Sequence, residues 1–239
     1  MQSPDVRLLI NTALEAGHGA LSEYDSKRVL AGYGVPVTRE TLVDTAVAAV
    51  AAAEALGYPV VLKGCAPNLK RKTEAGLVVV GLASGQDVTD AFDTLSGRAG
   101  HGFKGGYLVQ ETVRGSRELM IRMTRDDQMT PSVTFGIGGI YTEVLDDVSV
   151  RSAPLSLADA HDMMDEIRAA RILDAVRGMA RVDRAALARV IICVSEAAIA
   201  NPEIAEIDIN PLIINGSKPV AADGLIVLKA AAQSAGDTK

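Results

Sequence analysis

Glu206-Ile-Asp-Ile-Asn-Pro-Leu212 is followed, thirteen residues after Asn210, by Asp223, which interrupts a second apolar run from Lys218 to Leu228. In the first run polar and apolar residues alternate. As a strand it points Glu206, Asp208 and Asn210 to one face and Ile207 and Ile209 to the other. Pro211 is expected to end regular pairing there. Asn215-Gly216 is a two-residue turn signal, so a hairpin would bring Asp223 back beside Asn210. Hard oxygen donors gathered in this way suit Mg²⁺ carried with phosphates. For an isolated Asp-x-Asn the ordinary reading is a solvated surface hairpin. Here Asp223 sits between Val220-Ala-Ala and Leu225-Ile-Val, and a carboxylate among apolar neighbours calls for a cation or a donor.

The 239 residues are 48% hydrophobic and 23% charged, enough for one large or two small globular units. Aromatic residues make up 3% with no Trp, so the core must be aliphatic and base-stacking platforms are not expected. A net charge of −6 argues against phosphate-backbone binding, so no nucleic-acid partner is expected. No stretch is long and apolar enough to span a bilayer and no signal-peptide pattern opens the chain, giving an expectation of a cytoplasmic protein without membrane contact. Cys65 and Cys193 stand far apart and are expected as buried free thiols. His18, His101 and His161 are scattered, with no zinc-site spacing. Serine-hydrolase elbows, Walker loops and a dinucleotide fingerprint are absent from the sequence.

Helices are expected over 6–16, from a start capped by Ser22 and Asp25 to about Tyr33, over Ala46–Leu56 and over Asp87–Leu95. Strands are expected at Val35–Val43, Tyr58–Lys63 and Leu77–Leu82. A Gly-rich stretch, Gly97 to Gly106, suggests a boundary, giving units 1–105 and 106–239. The second unit begins with Tyr107–Val113 and continues with Glu118–Thr124, Ser132–Phe135 and Val148–Ala153, spaced as an antiparallel sheet. Helical spacing covers Ala158–Val176 and Arg184–Ala200. Tyr141-Thr-Glu-Val-Leu145 reads as extended. The fold class is therefore α/β to α+β: a small α/β unit, then a larger α+β unit.

Lys63 ends a buried strand and Lys70, Arg71 and Lys72 follow in its loop; lysines so placed pair with phosphate oxygens, while the ordinary alternative is a snorkelling strand end. Gly76 permits close backbone approach. Val109-Gln-Glu-Thr-Val113 places a carboxylate at a strand exit, with Glu118 opening the next strand; a backbone hinge and a carboxylate suit adenine and ribose, or simply a hairpin with two exposed acids. Phe135-Gly-Ile-Gly-Gly-Ile140 is either an anion-holding nest or a tight strand connection.

Tyr33-Gly-Val-Pro36, Gly57-Tyr-Pro-Val-Val-Leu-Lys63, Lys72-Thr-Glu-Ala-Gly76, Tyr107-Leu-Val-Gln-Glu111, Phe135-Gly-Ile-Gly-Gly-Ile-Tyr-Thr-Glu-Val-Leu145, Arg177-Gly178 and Asp208-Ile-Asn-Pro-Leu212 occur in one order along roughly residues 20 to 230. Together they resemble the ATP-grasp domain of NDP-forming acyl-CoA synthetases, the β-subunit type of ADP-forming acetate-CoA ligase, and more distantly succinyl-CoA synthetase β. The resemblance implies an ATP-grasp fold with the nucleotide cleft between the two units. It implies ATP and Mg²⁺ as cofactors, with Lys63 and Lys72 on phosphates beside Gly76, Glu111 and Val113 at the adenine hinge, Glu118 on the ribose side, and Asn210 and Asp223, with Asp208 nearby, on the metal.

By resemblance the chemistry turns a carboxylic acid, ATP and CoA into acyl-CoA, ADP and phosphate. It proceeds through an acyl phosphate and an active-site His, and Lys72 and the adjoining Arg71 are the catalytic candidates. The CoA-binding and ligase domains, with that His, would belong to an α-type partner subunit, implying an oligomer. Arg71 stands where the family commonly has His, Arg122 where it has Gly, and Met129-Thr130 where it has Phe-Gly. Two other readings follow from these departures: a non-catalytic nucleotide-binding regulatory module, or a stand-alone ATP-grasp ligase joining a carboxylate to an amine.

Overall fold

The computed structural model describes residues 4–69, 71–126, 129–139 and 142–229. Two antiparallel sheets, each with its own aliphatic core, carry the architecture.

The smaller sheet has the order β1-β4-β2-β3, with β1 Glu40–Val43, β2 Val60–Cys65, β3 Val78–Leu82 and β4 Gly106–Glu111. Its two helices, α3 Ala46–Leu56 and α4 Gly85–Ala99, pack on one face. Both are capped by hydroxyls, the side chain of Thr45 accepting from Ala48 N–H and that of Ser84 from Asp87 N–H. Strand parity divides β2. Val60 and Leu62 enter the core beneath the helices, so Val61 and Lys63 face the other way.

The larger sheet has the order β10-β8-β5-β6-β7, with β9 paired to β8. Its strands are β5 Glu118–Thr124, β6 Ser132–Ile137, β7 Val148–Ser152, β8 Ile204–Asn215, β9 Lys218–Ala221 and β10 Leu225–Leu228. Helices α6 Leu157–Glu166 and α7 Arg184–Ala200 cover one face, contributing Met163, Met164, Leu187, Ile191 and Val194 to a core with Leu119, Ile121, Met123, Val133 and Phe135. Helices α1 Pro4–Glu15 and α2 Glu23–Gly32 also belong to this core, through Val6, Ile10, Val29 and Leu30.

The division of the chain therefore differs from a cut near residue 105. β4 bonds to β1 and β2 and so lies in the smaller sheet, while α1 and α2 pack in the larger core. Apolar side chains chose their cores across the glycine-rich stretch, which is a surface connection within the smaller unit.

Other elements depart from expectation where particular side chains or backbone groups intervene. Only Glu40–Val43 of the expected Val35–Val43 strand pairs in the small sheet. The preceding residues bridge to the other lobe, Pro36 O accepting from Ala221 N–H and Thr38 N–H donating to Ala221 O. Helix α6 stops at Glu166 because the Asp147 carboxylate accepts from the N–H groups of Arg168 (2.7 Å) and Ala169 (2.8 Å), drawing the chain into a short 3-10 turn, Ala170–Leu173. Thr142–Leu145 is a short helix, α5, instead of an extended segment; the Thr142 hydroxyl donates to Gly139 O and closes the turn. Ile140, Tyr141 and Lys70 lie outside the described residues.

Pro211 does not end β8. The strand runs through it to Asn215, and its register with β5 shifts between Leu119 and Ile121, opposite Asn210 and Pro211. A bulge needs no ladder N–H at the proline. It also resets parity, so Ile207 and Ile209 and then Leu212 and Ile214 all point into the core.

Candidate functional site

Where the free face of the small sheet meets β8 and β9, Val61, Lys63, Val78, Val80, Gln110, Glu111, Thr112 and Val113 confront Pro211, Ile213, Ala222 and Asp223 across a cavity of about 290 Å³. A second, smaller and more polar cavity of about 100 Å³ adjoins it at Asp223, lined also by Glu23, Lys72, Asp208, Asn210 and Gly224. The first is an apolar slot between two lobes, and the second its charged end.

At the charged end lysines and carboxylates interlock. Lys63 Nζ donates to Glu23 Oε1 (2.8 Å) and to Ala222 O (2.9 Å). Lys72 Nζ donates to Asp223 Oδ1 (2.9 Å) and pairs with Glu23 Oε2. Lys27 joins Glu23 Oε1 at 2.8 Å, Gln110 Oε1 at 2.8 Å and Thr38 Oγ1 at 3.2 Å, and pairs with Glu40. Three ammoniums thus face three carboxylates, Glu23, Glu40 and Asp223, in a pocket where an uncompensated charge would be costly. The Glu23 side chain is 2% exposed and the Lys72 side chain 9%.

Burial alone would push the Glu23 carboxyl upward; the ammoniums of Lys63, Lys27 and Lys72 outweigh it and hold Glu23 well below the usual carboxylate range. Burial likewise works against the Lys72 ammonium, but Asp223 and Glu23 override it and raise its pKa. Glu40 goes the other way. Burial pushes it up, and Lys27, its one cationic partner among the described residues, is shared with Glu23 and does not offset this.

The three metal-ligand candidates, Asp208, Asn210 and Asp223, are each engaged. Asp208 is held by Arg122 through Nε–Oδ1 (3.3 Å) and Nη2–Oδ2 (3.1 Å), Arg122 lying directly opposite on β5. Asn210 Oδ1 accepts from Gly139 N–H at 2.8 Å, and its Nδ2 lies 3.4 Å from Thr142 Oγ1. Asp223 Oδ1 also accepts from Gly224 N–H. Gly138 N–H bonds to Glu118 O, so the Gly-Ile-Gly-Gly turn has its described N–H groups committed and is a strand connection that fixes Asn210, not an anion nest. Its glycines are required by packing: a Cβ on Gly138 would lie 2.2 Å from Leu119 O.

At the apolar end β4 pairing stops at Glu111. The Glu111 carboxylate accepts from Arg39 Nε (2.7 Å) and Arg39 N–H (2.9 Å). The buried Thr112 hydroxyl has no hydrogen-bond partner among the described residues. An orphaned hydroxyl beside a slot of Val61, Val78, Val80 and Ile213 suits a flat heteroaromatic ring with polar edges.

Of the residues singled out in the sequence, Lys63, Lys72, Glu111, Val113, Asp208, Asn210 and Asp223 line these two cavities. Gly76 adopts φ +65 in the turn after Lys72 and its carbonyl accepts from Arg98, so it shapes the loop. Glu118 lies against Gly139, and its carboxylate is outside both cavity linings. Arg71 is 79% exposed and paired only with Glu74 among the described residues. Glu23, Lys27 and Gln110 were not singled out. A Glu and a Lys four residues apart at a helix start are a common surface pair, and only tertiary burial distinguishes Glu23 and Lys27 from that pattern.

Two lobes, with buried lysines delivered from one to carboxylates of the other, define a class. Residues 12–228 match the family model of the ATP-grasp domain, and the chain belongs to that family. More narrowly, it is 36% identical over 219 residues to the β subunit of ADP-forming acetate–CoA ligase I of Pyrococcus furiosus, covering 90% of this chain and 94% of that subunit. It is also 36% identical over 223 residues to ADP-forming acetate–CoA ligase I of Archaeoglobus fulgidus, covering 92% of this chain but 32% of that longer protein.

Among solved structures, dinucleotide-forming acetyl-coenzyme A synthetase 1 of Ca. Korarchaeum cryptofilum, in complex with coenzyme A and Mg-AMPPCP, superposes with a TM-score of 0.83 at 36% identity, covering 94% of this chain and all of that one. The chain therefore belongs with the ATP-grasp subunits of ADP-forming acid–thiol ligases. No described helix is long and apolar enough to cross a membrane.

Proposed function

We propose that the chain binds Mg-ATP in the interlobe cleft. With a CoA-binding α-type partner subunit, it converts a carboxylic acid, ATP and CoA to acyl-CoA, ADP and phosphate. One observation carries this reading above the rest: Lys63 and Lys72, both buried, converge on the end of the cleft where Asp208, Asn210 and Asp223 gather. Two fixed ammoniums next to three oxygen donors match a polyphosphate with its cation.

In this reading Val61, Val78, Val80 and Ile213 sandwich the adenine, and the chain leaving β4 at Glu111 to Val113 meets its polar edge. Lys63 and Lys72 bind phosphate oxygens. Asn210 and Asp223, with Asp208, would hold Mg²⁺, which when bound neutralises charge on the phosphates during phosphoryl transfer. The donor set fits a hard divalent ion, and Lys72 and Arg122, now paired with Asp223 and Asp208, would be the cations it competes with. The chain's near-complete coverage of a separate β subunit supports the partner, and ATP and CoA chemistry supports a cytoplasmic setting.

The test is reconstitution with an α-type subunit, CoA, Mg-ATP and a panel of carboxylic acids, with ADP release measured. Acid- and CoA-dependent ADP is expected. A second reading, a nucleotide-binding module without turnover, is favoured by one observation, the Arg122 guanidinium on Asp208. It is adopted if Mg-ATP binds but no acid elicits ADP.

A further inference from the structure

Glu23 belongs to α2 and thus to the larger core, whereas Lys63 and Lys72 belong to the small lobe. Each oxygen of this carboxylate takes one of the two lysines: Oε1 binds Lys63 and Oε2 binds Lys72. Behind it, Lys27 on the next turn of the same helix shares Oε1 and reaches Gln110 of β4. The carboxylate is therefore held from its own helix and presents both oxygens to groups from the opposite lobe.

We propose that Glu23 is a positioning residue that holds the ammoniums of Lys63 and Lys72 at the spacing needed to receive a polyphosphate, tying the two lobes together until the phosphates arrive. The proposal rests on the nucleotide reading of the cleft. Three features of the geometry support it. A lysine side chain has four rotatable bonds and by itself fixes nothing, so two lysines that must meet one ligand gain from a shared buried template. The template is almost fully buried, at 2% exposure, yet borders the cavity lined by Lys72, Asp208, Asn210 and Asp223. Lys63 retains Ala222 O, so its direction is kept when phosphate oxygens displace the carboxylate, while Lys72 is left free to take phosphate oxygens as the metal takes Asp223.

Glu23→Asp keeps the charge and withdraws the carboxylate by one methylene, separating placement from electrostatics. In the full chain, Mg-ATP affinity by isothermal titration is expected to fall about tenfold or more, the loss of a well-aligned charge-assisted hydrogen bond. Affinity for adenosine, which carries no phosphate, stays unchanged. A residue that merely supports folding would lower both affinities together or neither. Equal Mg-ATP affinity in Glu23→Asp and wild type overturns the positioning role. Absence of Mg-ATP binding by the wild type overturns the parent reading and this proposal with it.

A measurement on the unaltered protein guards against a variant that fails to fold. In ¹⁵N-lysine spectra the slowly exchanging ammonium signals of Lys63 and Lys72 should move on adding Mg-ATP while that of Lys27 stays. Signals of Lys63 and Lys72 that do not respond at saturating nucleotide contradict the proposal.

Discussion

Replacing Asp223 with alanine removes one of the three carboxylates of the buried cluster and one proposed metal ligand, and the two losses are separable. Without nucleotide, Lys72 keeps Glu23, and the Asp223 side chain is 30% exposed. The cost therefore falls between that of a surface pair and that of a broken buried pair, about 1–2 kcal/mol. For a chain of this size that is a fall of about 2–8 °C in Tm. At a nucleotide concentration about 100 times the dissociation constant, wild type gains about 2.7 kcal/mol, or about 5–11 °C. Loss of a metal ligand should weaken Mg-ATP by about 100-fold or more, since even outer-shell partners cost about 10–100-fold. At the same nucleotide concentration the variant then gains only about 0.4 kcal/mol, or about 1–2 °C. The chain has no Trp, so circular dichroism is the suitable probe. A nucleotide-linked rise in Asp223→Ala as large as in wild type would refute the reasoning.

Three further outcomes are expected. Arg122→Ala frees Asp208 from its guanidinium, so it should cost no more than about 1 kcal/mol in urea unfolding, the pair being 40% and 21% exposed, and should lower the Mg²⁺ concentration needed for half-maximal nucleotide binding. Phe135→Ala, fully buried in the larger core, should cost about 3–5 kcal/mol by the same unfolding measurement. Glu23 has a depressed folded pKa, so its stabilisation is present above the unfolded value of 4.5 and is lost as pH falls through the folded value. Wild-type stability should therefore fall more steeply below pH 4.5 than that of Glu23→Gln, measured by urea titration at stepped pH.

The parts of the fold legible in the sequence are those set by local pattern. Ala46–Leu56, Glu118–Thr124 and Arg184–Ala200 have the bounds expected, because hydroxyl or carboxylate caps and unbroken periodicity specify them. Elements decided by distant partners were not legible. Asp147 cuts α6 short from across the fold, and the bulge at Pro211 depends on β5 having a register shift to offer. The division of the cores followed the same rule. β4 looks like the start of the second unit along the chain, but its partners are β1 and β2.

Half of the candidate site came from parity. Alternation in β8 placed Asp208 and Asn210 on one face, and the Asn215-Gly216 turn returned Asp223 to them. The other half, Glu23 with Lys27 and Gln110, was invisible because a Glu–Lys pair at i,i+4 is an ordinary surface pattern on a helix, and only the small lobe closing over it makes it a buried hub. Arg122 was visible as an unusual residue, but its partner Asp208 was fixed by strand register.

The most direct test of the account is a crystal structure of the chain with Mg²⁺ and a non-hydrolysable ATP analogue. The adenine is expected between Val61 and Ile213, phosphate oxygens on Lys63 and Lys72, and the metal on Asn210 and Asp223. A nucleotide bound elsewhere, or phosphates that leave Lys63 and Lys72 on Glu23, would contradict it.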